Sequence, residues 1–238
     1  RKPIADNDLG KLLMEKEILD FETTQPDDKT IREISSAKHL KRLRIIGCRN
    51  FDMEGSGLGS VDCLESLALN GCDFTDALCE VLAKMSNLKS LYISGGPTEI
   101  SINGNEALKT ITRLRSLMLY NSQDQDALSY VLDGFSNCKI LSQLHIMPFT
   151  PMQGQFPKLS IFTSLEDVSL KLDSYNDSIH SALKGMKNLQ SLEWWLAENC
   201  SKGDIARISE LSTLKRVLLN YPVSIGDDDL EPLTKLPD

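Results

Sequence analysis

The sequence predicts one α/β solenoid, in which short parallel strands alternate with helices along all 238 residues. Three observations predict it. An apolar motif returns every 24 to 27 residues, each copy holds a short alternating strand pattern, and apolar residues at helical spacing lie between copies. One such unit cannot bury its own apolar face, so the copies must stack and share a core. We therefore expect a single domain over residues 1–238.

The strands come from a repeated frame, L-x-x-L-x-L-x-x-(C/N). Its alternating centre places the apolar side chains on one face of a strand. The first copy is the weakest, because Lys16 occupies its leading apolar slot. The middle residues of the nine copies are Leu19, Leu43, Leu67, Leu91, Leu117, Leu144, Val168, Leu192 and Val217. They predict a parallel sheet of about eight to nine repeats.

Helices are predicted between the strands from apolar residues spaced by three and four. Polar residues that cap free helical N–H groups precede several of them, such as Thr75 and Asn176. The apolar triplets are Leu78, Leu82 and Met85; Leu128, Leu132 and Phe135; Ile179, Leu183 and Met186; Ile205, Ile208 and Leu211; and Leu230, Leu233 and Leu236.

Three segments interrupt this pattern. The glycine-rich segment 55–59 and the prolines of segment 148–157 disfavour a regular helix, so irregular or 3₁₀ structure is expected within both. Segment 95–105 contains Gly-Gly-Pro and Asn-Gly-Asn, which are typical of turns. We expect it to be an exposed loop before a short helix near 107–111.

The composition excludes several classes of function. Lys and Arg total 26 against 34 Asp and Glu, and this net charge of −8 argues against binding nucleic acid or anionic membrane by bulk charge. No apolar run approaches the roughly 18 residues of a membrane span, and no targeting segment is evident. Six cysteines are too few for a disulfide scaffold. Cys48 and Cys72, at the ninth position of their repeats, are expected to be buried, reduced thiols.

No local motif predicts catalysis, a metal or a cofactor. His39, His145 and His180 lie in different repeats, and the cysteine spacing matches no zinc site. The motif G-x-S-x-G is absent, and segment 55–59 is not followed by Gly-Lys-Ser/Thr. The sequence therefore predicts a protein that is not an enzyme and that needs no cofactor.

The face of the sheet opposite the core is the candidate binding surface. Outward positions of successive strands form rows, and the middle of these rows is rich in aromatic and sulfur-containing residues, which are enriched in protein interfaces. Single exposed apolar residues are ordinary, but several in adjacent strands favour a contact surface. Trp194 should point into the core and its neighbour Trp195 outward. The predicted protein-binding residues are Tyr92, Met118, Tyr120, His145, Met147 and Trp195.

The repeat frame resembles the leucine-rich repeat superfamily over essentially the whole chain. Cys48 and Cys72 at the ninth position, together with helical segments between strands, are similar to its intracellular subclasses. The resemblance implies a curved horseshoe with a concave parallel sheet, convex helices and a protein ligand on the concave face.

Irregular repeats with acidic helix starts are similar to those of NOD-like receptors. This implies a cytoplasmic sensing or autoinhibitory region in innate immunity, within a longer chain that carries further domains. The alternatives are the substrate-binding repeats of an F-box ubiquitin ligase and a bacterial effector.

Overall fold

The computed structural model describes nine stretches of the chain and the single residue Gly55. The stretches are 9–15, 20–47, 57–95, 98–120, 125–148, 159–172, 175–196, 201–220 and 226–236.

In the described stretches, eleven strands form two parallel sheets, a main sheet of nine strands and a pair of two-residue strands. In chain order the strands are β1 (Asp20–Thr24), β2 (Arg42–Ile46), β3 (Ser66–Asn70), β4 (Phe74–Thr75), β5 (Ser90–Ser94), β6 (Thr98–Glu99), β7 (Ser116–Tyr120), β8 (Gln143–Met147), β9 (Asp167–Leu172), β10 (Ser191–Leu196) and β11 (Arg216–Asn220). Strands β4 and β6 make the small pair, and the other nine make the main sheet.

Eight α-helices and three 3₁₀ segments connect the strands in the described part of the chain. The helices are α1 (Leu9–Glu15), α2 (Asp28–Ser35), α3 (Asp76–Lys84), α4 (Ile102–Leu108), α5 (Gln125–Gly134), α6 (Asp177–Gly185), α7 (Lys202–Ile208) and α8 (Asp227–Leu230). The 3₁₀ segments are Leu58–Ser60, Leu159–Ile161 and Glu231–Lys235.

The nine strands of the main sheet lie in the order of the sequence, and every neighbouring pair is parallel. Leu67 pairs with Leu91, and Leu91 with Leu117, as the repeat frame predicts. This register confirms the predicted α/β solenoid. It rules out antiparallel pairing of the Leu67 and Leu91 segments.

The register of the first repeat was predicted wrongly. Phe21 pairs with Leu43, so the anchor of this repeat is Phe21 instead of Leu19. A shift of two residues leaves the same face buried, because side chains alternate with a period of two. The outward positions shift accordingly, so Asp20 lies beside Arg42 and Glu22 lies beside Arg44.

One continuous core runs between the sheet and the helices. The inward residues Leu67, Leu91 and Leu117 are each 0% exposed, and Trp194 is 1% exposed, as expected for its inward position. Apolar residues of the helices belong to the same buried cluster, among them Leu78 and others of the predicted triplets. The helices thus cover the inward face of the sheet, and we call the opposite side the open face.

Two helix starts have the expected caps. The Thr75 side chain accepts a hydrogen bond from the backbone N–H of Leu78, at the start of α3. The Asn176 side chain accepts one from the N–H of Ile179 at 3.0 Å, at the start of α6. Each cap satisfies an N–H group that has no partner inside the helix.

Helix α4 replaces the end of the loop that was expected between residues 95 and 105, and it starts earlier than the helix expected near 107–111. It begins at Ile102, and the Asn-Gly-Asn motif lies within it. Gly104 packs against α3, where an added Cβ would collide with a carboxylate oxygen of Asp76. The Asn105 side chain donates to the Tyr130 carbonyl at 2.6 Å. These tertiary contacts override the local turn preference.

The glycine-rich interruption has the predicted structure, because the 3₁₀ segment Leu58–Ser60 begins within it. Segment 148–157 lies outside the described residues apart from Pro148, and the 3₁₀ segment Leu159–Ile161 comes shortly after it. The predicted last helix, however, is divided into the four-residue α8 and the 3₁₀ segment Glu231–Lys235. Pro232 explains the break, because proline has no N–H to continue the helical hydrogen bonds.

The expectation of a reduced thiol at Cys72 is wrong. Cys72 is buried as expected, with 0% exposure, but it is disulfide-bonded. The free cysteines of the described residues are Cys63, Cys79 and Cys138. Cys48, for which the same expectation was made, lies outside the described residues, as does Cys200.

Candidate functional site: the open face of the sheet

The structure places all six predicted binding residues on the open face. Tyr92 of β5 pairs in register with Met118 of β7, which pairs with His145 of β8. Tyr120 pairs with Met147 one row further along the same strands. Trp195 occupies that second row in β10, beside Lys171.

Five of these residues therefore form one contiguous group, which we call the aromatic patch: Tyr92, Met118, Tyr120, His145 and Met147. Trp195 lies on β10, two strands beyond Met147, and is separate from it.

Two tyrosine rings are the centre of the aromatic patch. The ring centroids of Tyr92 and Tyr120 are 5.2 Å apart, with an angle of 31° between the ring planes. Both side chains are half-buried. Burial raises the pKa of the Tyr120 hydroxyl above its usual value, and Tyr92 and the negative charge of Glu193 raise it further. The Tyr120 phenol therefore remains a neutral hydrogen-bonding group at physiological pH.

Beyond Tyr120, two outward residues of the open face are buried. Met147 is 9% exposed and Ser169 is 1% exposed, although both point away from the core. The Ser169 hydroxyl lies 3.8 Å from the Met147 sulfur and donates to a Glu193 carboxylate oxygen at 3.0 Å. Ser169 is thus covered by side chains of its own face.

Two carboxylates lie next to the aromatic patch. The Asp167 carboxylate is 3.7 Å from the Nε2 atom of His145. The Glu193 carboxylate accepts from Ser169 through one oxygen and from the Asn220 amide, at 2.9 Å, through the other. The sequence analysis did not select Ser169, Glu193 or Asn220, although they occupy the same outward rows as the predicted residues.

The other end of the open face is charged instead of aromatic. Arg42 forms a two-pronged salt bridge with Asp20, and Arg44 lies 3.7 Å from a Glu22 oxygen. All four side chains are exposed, so water and salt weaken these pairs. The residues of the aromatic patch are half-buried or buried, so the two ends of the open face differ in both charge and exposure.

A polar cluster that the sequence analysis did not predict lies on the core side of β10. The Tyr175 hydroxyl is 3.0 Å from Nδ1 of His180, whose Nε2 atom is 3.4 Å from a Glu210 carboxylate oxygen. The Tyr175 ring packs on Trp194 at 4.9 Å, and the Arg207 guanidinium lies 5.4 Å above it.

A tyrosine, histidine and carboxylate in a hydrogen-bonded chain resemble a nucleophile with its base and orienting acid. Tyr175, however, is only 6% exposed, and burial, the largest cause, raises the pKa of its hydroxyl. Burial also lowers the pKa of His180. The cluster joins the connection before α6 to the end of α7 and to β10, and we assign it to packing between repeats.

Within the stretches that the structure describes, no three His, Cys, Asp or Glu side chains are grouped as metal ligands would be. A search of the same residues finds no helix with the length and apolar character needed to cross a membrane.

The repeat frame and the in-order parallel sheet together define a solenoid of the leucine-rich repeat type. No protein-family model matches the sequence, and no curated protein matches it. Among solved structures, an internalin from Listeria monocytogenes is similar to this chain, with a TM-score of 0.44 and 15% sequence identity. The match covers 87% of this chain and 69% of the internalin.

Proposed function

We propose that this domain is a non-enzymatic protein-recognition module that binds a protein ligand on the open face of its sheet. The aromatic patch would supply most of the binding energy, with Trp195 as a second contact. Recognition of this kind needs surface complementarity and no cofactor.

The observation that carries the proposal is the pair of neighbouring rings, Tyr92 and Tyr120, on the open face of the sheet. Tyrosine is enriched in interface hot spots, because it offers a large rigid surface with one polar end. Met118 and Met147 add flexible, polarisable contacts in neighbouring strands. A patch of this composition favours a protein partner over a small polar ligand.

The cellular role that we propose rests on the resemblance of the repeats to those of NOD-like receptors. A sensing or autoinhibitory region of a NOD-like receptor, within a longer chain in the cytoplasm, is the setting we propose; the substrate-binding repeats of an F-box ligase and a bacterial effector are the alternatives. The disulfide at Cys72 weighs against the cytoplasm, because structural disulfides are rare in reducing compartments.

The proposal can be tested without knowing the natural ligand. A phage-displayed library of random twelve-residue peptides is selected on the wild-type domain, and the tightest peptide is synthesised. Tyr120→Ala should weaken its binding by about 2 kcal/mol, a hot-spot effect. The melting temperature should change little, since the ring is not part of the core.

Lys84→Ala, an exposed change at the end of α3, is the matched control and should leave binding unchanged. If no peptide binds, or if Tyr92→Ala and Tyr120→Ala both bind it as tightly as the wild type, recognition through the aromatic patch is refuted.

A further inference from the structure

A cleft lies at the edge of the solenoid where two successive repeats pass from helix to strand. One side of it comes from the end of α3 and the turn before β5, and the other comes from residues 110–113, between α4 and β7. Its volume is about 280 Å³, near the lower end of the roughly 300–1,000 Å³ that small-molecule sites occupy. We call it the edge cleft.

Side chains bridge successive repeats along this edge. The Asn87 amide donates to the Asp62 carbonyl at 2.7 Å, and the Ser164 hydroxyl donates to the Lys139 carbonyl at 2.6 Å. Each donor directly precedes the leading leucine of its repeat frame. Arg113 has this position in the repeat of β7 and lines the edge cleft, but in the part of the chain that the structure describes its side chain makes no hydrogen bond or ion pair. Its guanidinium group is therefore available to a ligand.

The lining of the edge cleft combines apolar and polar side chains. Met85, Leu88 and Ile111 supply the apolar part and are 3%, 1% and 6% exposed. Ser86 and Thr112 are exposed and add two hydroxyl groups, which have no hydrogen-bond partner among the described residues. Apolar surface beside a guanidinium group and hydroxyl donors suits a ligand with a short apolar body and one negatively charged end.

The charges around the edge cleft favour an anion, although the whole chain has a net charge of −8. The helices α3 and α4 end beside the cleft, and the C-terminal carbonyl groups of each helix act as about half a negative charge, which opposes anion binding. Lys84, Arg113 and Arg115 are three exposed positive charges at or next to the lining, and none forms an ion pair within the described stretches. Three whole positive charges outweigh the two half charges of the helix ends.

We propose that the edge cleft binds a small organic carboxylate, a free molecule with a short apolar body. Arg113 pairs with the carboxylate, Ser86 and Thr112 donate hydrogen bonds to it, and the buried residues of the lining contact the apolar body. One guanidinium group matches the single charge of a carboxylate and can bind both of its oxygens. This site does not depend on the proposed function, because none of its residues belongs to the aromatic patch.

Titration of phenylacetate into the isotope-labelled domain, followed by two-dimensional NMR, tests this site. Phenylacetate should shift the backbone signals of Ser86, Thr112 and Arg113. Arg113→Gln should weaken its binding at least about tenfold, which is the effect of losing a hydrogen-bonded charge. Because Arg113 is exposed, the melting temperature should change little. Arg216→Gln, a change of another exposed arginine on β11, is the matched control and should leave binding unchanged.

Two changes of ligand make the test independent of how the variant folds. Phenylacetamide, which keeps the shape of phenylacetate and lacks its charge, should bind the wild-type domain at least about tenfold more weakly. Inorganic phosphate, which lacks the apolar body, should also bind more weakly. If phenylacetate causes no shifts at these residues, or binds Arg113→Gln as tightly as the wild type, the inference is overturned. Equal binding of phenylacetamide or of inorganic phosphate would overturn it as well.

Discussion

Truncation of one inward leucine should destabilise the domain strongly, and Leu117 is the most informative choice. It lies in β7, at the middle of the nine-strand sheet, and is 0% exposed. Its partners in register are Leu91 and Leu144, which are also 0% exposed. Both partners lie in strands inside the sheet, so the surrounding side chains cannot easily move into the space that a smaller residue at position 117 would leave.

The magnitude follows from the atoms removed. Leu117→Ala deletes three buried carbon atoms, which at about 0.8 kcal/mol per buried methylene contribute roughly 2.4 kcal/mol. A cavity that cannot collapse adds to this, giving about 3–4 kcal/mol, within the usual range for leucine truncation. The same reasoning applies to Leu67, Leu91 and Leu192, which are at most 2% exposed.

Urea denaturation of Leu117→Ala and of Ser90→Ala measures the difference. Ser90 is an outward residue of the neighbouring strand β5, so its change to alanine should alter the free energy of unfolding by less than about 0.5 kcal/mol. Ser66→Ala should behave in the same way. Equal losses at Leu117 and Ser90 would refute the assigned inward and outward rows.

Three further predictions concern particular contacts. Non-reducing peptide mapping should find Cys72 in a disulfide; labelling of a Cys72 thiol in the unreduced protein would contradict this. Burial lowers the pKa of His180 in the folded state. The stability that neutral His180 contributes is therefore fully present above the unfolded pKa of about 6.5, and it is lost as the pH falls through the lower folded pKa. His180→Gln should flatten this part of the stability–pH curve, and an unchanged curve would contradict this. Gly104→Ala should lower stability by about 1–3 kcal/mol in urea denaturation, because its Cβ has no space between α4 and α3, and an unchanged midpoint would argue against that packing.

The strands and their outward rows could be predicted from the sequence, because a period of two and a repeat of about 24 residues fix both. The first repeat shows the limit of this reasoning. Leu19 and Phe21 are both apolar and two apart, so either fits the frame, and only the pairing of Asp20 and Glu22 with the arginines of β2 distinguishes the two registers.

Contacts between distant residues could not be predicted in this way. The Asn-Gly-Asn of α4 has a local preference for turns, and the helix forms because Asn105 and Gly104 fit against neighbouring elements. Likewise, His180 and Glu210 are 30 residues apart and belong to no local motif, so their contact emerges only when α6 and α7 are stacked.

Hydroxyl-radical footprinting tests recognition on the open face most directly, because tyrosine and methionine are themselves sensitive to oxidation. The selected peptide should protect Tyr92, Met118 and Tyr120 from oxidation in the complex. Met14 on α1, which is 44% exposed, should be oxidised equally with and without the peptide. Protection of Met14 with no change at the tyrosine pair would contradict the account and place recognition on another surface of the solenoid.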